Sequence, residues 1–181
     1  VYHAGASGTG LLYAAVAAGS TVAALTTGWL LRARWLGRIV LAAVAVWGAF
    51  IALAGLVDSI WPAAFLFAGA GAADSISAVC RATMSQTLTP DRLRGRMSAV
   101  FSLVVAGGPR LGDVESGTVA AIATPAFSVV SGGLACLASV GFVAAFFPQL
   151  AGYDGDAIGA GAVDKDAVEL EVGRLAAEDL A

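Results

Sequence analysis

Five long apolar runs constrain this chain more than any other feature. They cover about residues 11–31, 39–57, 60–86, 97–124 and 126–147 of 181. A helix crossing the hydrocarbon core of a bilayer needs about 20 mostly apolar residues, and each run is close to that length or longer. Strands of a membrane barrel are half as long and alternate apolar with polar side chains, whereas alanine fills these runs without alternation. The expected fold class is therefore an all-α membrane protein with five transmembrane helices. Charge points the same way. Residues 1–150 hold eight bases and five acids, net +3, and residues 151–181 hold two bases and eight acids, net −6. Charged side chains are 13% of the chain, against roughly a quarter in soluble domains, too few to coat a water-soluble globule. With the positive charge dispersed, no basic surface for nucleic acid is expected.

The arginines orient the spans. Arg32, Arg34 and Arg38 lie between the first and second runs, and Arg92, Arg94 and Arg96 between the third and fourth. With five spans these two connections fall on the same side. The other two, Asp58-Ser59 and Thr124-Pro125, contain no Lys or Arg. The positive-inside rule places the arginine connections in the cytoplasm. Residues 1–10 are then an external segment, residues 11–148 the transmembrane part, and 149–181 an acidic cytoplasmic tail. Residues 153–161 have the composition of a linker. Residues 164–180 are either a solvated tail or a short acidic helix with Val168, Val172, Leu175 and Ala176 on one face. The expected location is the cytoplasmic membrane, and the lipid bilayer is the first expected partner. The chain opens on Val1 without Met, basic n-region or cleavage site, as expected for a piece of a longer protein.

Five ionisable residues interrupt the apolar runs: Asp74, Arg81, Arg110, Asp113 and Glu115. A charge near the bilayer centre costs on the order of 3 kcal/mol on insertion scales, so each should be paired or should face protein or water. At 1.5 Å per residue, Asp74 lies about 21 Å and Arg110 about 22 Å from the cytoplasmic edge, so neighbouring helices can bring them to one level. Asp113, three residues after Arg110 on the same helix face, is the competing partner. Arg81, about 10 Å in, can extend to the interface or bind a carbonyl. Gly107, Gly108 and Pro109 form an expected helix break, since proline removes a backbone donor. Broken helices at membrane depth line cavities or moving joints.

Catalytic chemistry finds little material. His3 is the only histidine, and Cys80 and Cys136 lie inside apolar runs without metal-ligand spacing. Neither a metal site, a cofactor nor an enzyme is expected, and no GxxxxGK[ST] loop for ATP occurs.

Three segments together resemble the major facilitator superfamily. They are Arg81-Ala-Thr-Met-Ser-Gln86, then Thr89-Pro90-Asp91-Arg92-Leu93-Arg94-Gly95-Arg96, then Gly107-Gly-Pro-Arg-Leu-Gly-Asp-Val-Glu-Ser-Gly117. The branch they resemble most is that of enterobactin-exporter-like and drug exporters. The stretch from Gly28 through Arg32, Arg34 and Gly37 to Arg38 is similar to the superfamily's cytoplasmic loop motif in its second-half copy. The acidic position of that motif is absent and Arg32 stands near it, which argues against a gating charge pair in this loop. The resemblance implies the C-terminal bundle of such a transporter, helices eight to twelve, with the N-terminal helices of the same protein as the missing partner. It implies proton-coupled efflux of a small amphipathic molecule, a siderophore or a drug, by alternating access. Asp74, Arg81, Arg110, Asp113 and Glu115 are then the gating or coupling candidates. The alternative is a structural or assembly multipass membrane protein without transport activity.

Overall fold

A computed structural model of the chain describes residues 5–28, 35–88 and 91–147, with side chains at 86–88 and 91–94 excepted. Arg32, Arg34, Pro90 and the acidic tail lie outside the described residues. Among the described residues every element is a helix: α1 (Gly5–Thr26), α2 (Leu36–Ala54), α3 (Ile60–Leu88), α4 (Asp91–Ile122) and α5 (Pro125–Phe146). Four segments are long and apolar enough to cross a membrane: α1, α2, Ile60–Ser85 of α3, and α5. α4 differs because Arg110, Asp113 and Glu115 lie in its second half.

Local sequence explains the boundaries. α1 starts at Gly5, ahead of the first apolar run, and so takes in part of the segment expected to be an external loop. The hydroxyl of Thr9 donates to the Gly5 carbonyl, tying down this polar first turn. α2 stops at Gly55, whose N–H donates to the Ile51 carbonyl at 3.2 Å. α5 starts on Thr124, whose hydroxyl accepts from the Phe127 N–H at 3.1 Å, with Pro125 placed where its missing N–H does no harm.

Two expectations on α4 are corrected. The helix begins at Asp91, so the backbone from Asp91 through Gly95 to Arg96 is helical rather than loop. The helix also runs unbroken through Gly107, Gly108 and Pro109. Proline deletes one hydrogen bond, but 32 residues of continuous helix supply the rest, and such prolines are tolerated inside membrane helices.

The helices pack in the spatial order α1, α3, α2, α5, α4. Small residues make the two central crossings possible. A Cβ on Gly19 would fall on the Ala68 carbonyl oxygen, so α1 and α3 meet backbone to backbone. A Cβ on Gly133 would press on Ala52 and Gly48, where α5 crosses α2. Between α2 and α3, Leu36 and Val40 bury against Cys80 and Met84, while Phe50 lies over Gly69. The two helices are therefore antiparallel. This is packing of the membrane type: lipid gives no hydrophobic drive between helices, so close contact and a few hydrogen bonds hold them. Large apolar side chains such as Leu25, Phe65, Leu134 and Phe146 point outward, as lipid-facing surfaces require.

Candidate functional site

α3 has helices on two sides, and its two charges are Asp74 and Arg81. One guanidinium nitrogen of Arg81 stands 3.6 Å from a carboxylate oxygen of Asp74. Seven residues are nearly two full turns, so both side chains leave one flank of the helix, about 10 Å apart along its axis, and lean toward each other. Both remain open to the surroundings, Arg81 at 46% and Asp74 at 63% exposure.

This pairing differs from the interhelical Asp74–Arg110 pair expected from depth. Equal depth is not proximity: α4 packs along α5 and has no comparable interface with α3. The Arg81 guanidinium turns back along α3 toward Asp74. Arg110, Asp113 and Glu115 are exposed on α4 and form no ion pair among the described residues. From Gly95 to Thr118, α4 is exposed at every position but Gly107, and its nearest polar link is the Ser128 hydroxyl donating to the Ser116 carbonyl at 2.8 Å.

Two features were not anticipated. Ser77 lies between Asp74 and Arg81 on α3, is 1% exposed, and its hydroxyl has no hydrogen-bond partner. Its position three residues after one charge and four before the other was visible in the sequence, but its burial was not. At the start of α2, the Arg38 guanidinium lies 4.3 Å from the centre of the Trp35 ring, a cation–π contact signalled by their i,i+3 spacing. Cys80 and Cys136 are free thiols, and the Cys136 thiol points at the Val44 carbonyl across the α2–α5 crossing. Among the described residues no three His, Cys, Asp or Glu side chains gather as a metal site would need.

The arrangement holds a separated, partly open pair of opposite charges in an otherwise apolar span. It can neutralise itself, or exchange either member for a ligand of the same sign.

Comparison with known proteins agrees with the membrane architecture. The family described as transmembrane secretion effector, within the major facilitator superfamily, matches residues 1–174. The enterobactin exporter of Salmonella choleraesuis is 35% identical over 127 residues, which are 68% of this chain and 30% of that protein. The enterobactin exporter of Citrobacter koseri is 33% identical over 134 residues, covering 72% of this chain and 32% of its own. For that of Escherichia coli O1:K1 the figures are 30% over 130 residues, 71% and 31%. The chain thus spans about a third of the length of these relatives. No solved structure matches it.

Proposed function

The chain belongs to the transmembrane secretion effector family of the major facilitator superfamily, and from this membership we propose that it is the C-terminal bundle of an efflux transporter for a small amphipathic molecule such as a siderophore. The family consists of multipass membrane transporters rather than enzymes, so the chemistry to be explained is passage across a bilayer. α1 to α5 stand for the last five helices of the assembled protein. The upstream helices supply the other half of the central cavity and cover α4, whose charged second half is ill suited to lipid. Alternating access is the mode of movement: two bundles rock about a central site and expose it to one side at a time. Inward proton flow drives it, with Asp74, Arg81, Arg110, Asp113 and Glu115 as the gating or coupling residues. The protein resides in the cytoplasmic membrane with its acidic tail inside, consistent with the positive-inside rule.

One observation carries this reading beyond family membership. The Asp74–Arg81 pair is more than 40% exposed at both ends on a helix that is otherwise apolar enough to span the membrane. Exposed charges at that depth must meet water or protein rather than lipid. A structural or assembly protein has no need to hold them open.

The deciding experiment is efflux from cells expressing the assembled protein, with labelled siderophores and cationic dyes, with and without a proton uncoupler. Uncoupler-sensitive export supports the proposal in full. Export that persists after uncoupling removes the proton from it, and no export of any compound favours the non-transporting alternative.

A further inference from the structure

What surrounds the open flank of α3 decides what its ion pair is for. Two helices pack against α3, and neither offers Asp74 or Arg81 a second counter-charge. α1 contains no Asp, Glu, Lys, Arg or His between Gly5 and Thr26, and Tyr13 is its one titratable group. α2 contains a single charge, Arg38, which lies over Trp35. On α3 itself, Cys80 points into the Leu36–Val40 cluster. Among the described residues Asp74 and Arg81 are therefore each other's compensation, and the quality of that compensation matters. A strong charge-assisted N–H···O bond has a heavy-atom distance of about 2.7–2.9 Å, and a guanidinium gains most from a two-pronged match to a carboxylate. Here a single nitrogen reaches a single oxygen at 3.6 Å. The fork of Arg81 remains largely unused.

Ser77 adds an independent observation. At 100° per residue it lies about 60° around the helix from Asp74 and about 40° from Arg81. It is nine-tenths buried and more, and its hydroxyl lacks a partner. A buried hydroxyl left unpaired costs roughly 1–3 kcal/mol. A carboxylate released from Arg81 has this donor within one turn.

We propose that Arg81 is the anion-selecting residue of the transport pathway and that Asp74 is its internal competitor. In the empty site Asp74 keeps the guanidinium from standing unpaired at membrane depth. An arriving carboxylate takes the unused fork of Arg81 in a two-pronged contact, and Asp74 passes to the Ser77 hydroxyl. The long, single-contact pair is what makes the exchange possible, since a tight bidentate pair would resist it. This assignment rests on the transporter reading given above.

The test uses the assembled full-length protein in lipid nanodiscs and two probes of one shape and different charge. These are 2,3-dihydroxybenzoate, an anion at pH 7, and its neutral amide, 2,3-dihydroxybenzamide. The wild type should bind the benzoate about tenfold more tightly than the amide, as one hydrogen-bonded charge contact allows. Arg81→Gln should bring that ratio to about one, and Arg81→Lys should keep part of it because the charge remains without the fork. Asp74→Asn should tighten benzoate binding by about tenfold and leave the amide unchanged, because the competitor is gone. Binding is read per folded protein, and Arg81→Lys, which leaves Asp74 its counter-charge, keeps the test decisive if Arg81→Gln fails to fold. Equal wild-type affinities for the two probes, binding of neither, a ratio unmoved by Arg81→Gln, or weaker benzoate binding in Asp74→Asn overturns the proposal. Siderophore efflux by the same wild-type protein is measured in parallel. Efflux with no charge preference ends only the role of Arg81, whereas absent efflux ends the transporter reading itself.

Discussion

Ser20 on α1 donates its hydroxyl to the backbone carbonyl of Gly71 on α3 at 2.9 Å. A side-chain bond to another helix's backbone requires the two backbones to lie close, and the neighbouring Gly19–Ala68 approach shows how close. α3 is thereby fixed on its α1 side by backbone contact and on its α2 side by the Leu36, Val40, Cys80 and Met84 cluster. The flank left between and beyond these contacts is the one that carries Asp74 and Arg81.

The first prediction concerns that crossing. Gly19→Val places a branched side chain on the Ala68 carbonyl, a backbone group that cannot swing aside. Overpacking of this kind should destabilise by at least about 1–3 kcal/mol. Ser20→Ala should cost about 0.6 kcal/mol, the usual size of an interhelical hydrogen bond in a membrane. Gly132→Ala is the control, because nothing lies within 4 Å of its added carbon. Unfolding in mixed micelles should rank the variants Gly19→Val, Ser20→Ala, Gly132→Ala in order of damage. Equal stability of Gly19→Val and wild type contradicts the crossing.

The second prediction concerns the thiols. Cys80 is 1% exposed inside the α2–α3 cluster, whereas Cys136 is only partly covered. In detergent a membrane-permeant maleimide should therefore modify Cys136 well before Cys80. Single-cysteine variants followed by mass spectrometry check this, and faster modification of Cys80 is incompatible with the packing of α3 on α2.

The third prediction concerns charge balance in α3. Neutralising one member of the pair leaves the other without its counter-charge, so Asp74→Asn or Arg81→Gln should lower the amount of folded transporter in the membrane. The double variant Asp74→Asn with Arg81→Gln removes both charges and should recover folded protein, while losing any function the pair serves. The exchange of Asp74 with Arg110 should not restore the single variants, because α4 lies on α5. Recovery by that exchange instead of by the double neutral variant restores the interhelical pairing expected from depth.

The fold was far more legible than the site. Apolar length and the absence of alternation were sufficient for an all-α membrane protein, because in a bilayer the backbone must satisfy itself within each helix. Pro109 misled: two glycines followed by a proline suggest a break, but the proline costs only one backbone hydrogen bond and α4 continues through it. The partner of Asp74 was misassigned because depth is one coordinate, and choosing between Arg110 and Arg81 requires knowing which helices touch. The i,i+7 spacing of Asp74 and Arg81 was present in the sequence, yet helix pairs are sought at three and four residues, where isolated helices gain most. The burial of Ser77 is set by helix packing, and no local pattern encodes it.

The last prediction fixes the orientation. Three connections are probed with single cysteines in a background lacking Cys80 and Cys136. Ser59 lies exposed between α2 and α3, and Ala123 exposed between α4 and α5. Ala123 is preferable to Thr124, whose hydroxyl caps α5 and whose loss costs about 1 kcal/mol. The third site, Ala33, falls between Arg32 and Arg34. Six arginines flank the connections on one side of the five helices and no base occupies the two on the other, so the bilayer's charge bias acts in a single direction. A membrane-impermeant maleimide added to intact cells should label Ser59→Cys and Ala123→Cys, and should label Ala33→Cys only after the cells are opened. Labelling of Ala33→Cys from outside inverts the topology and moves the acidic tail out of the cytoplasm. Labelling of Ser59→Cys but not Ala123→Cys means that α3 and α4 do not both cross, a result that the charges of α4 make worth seeking.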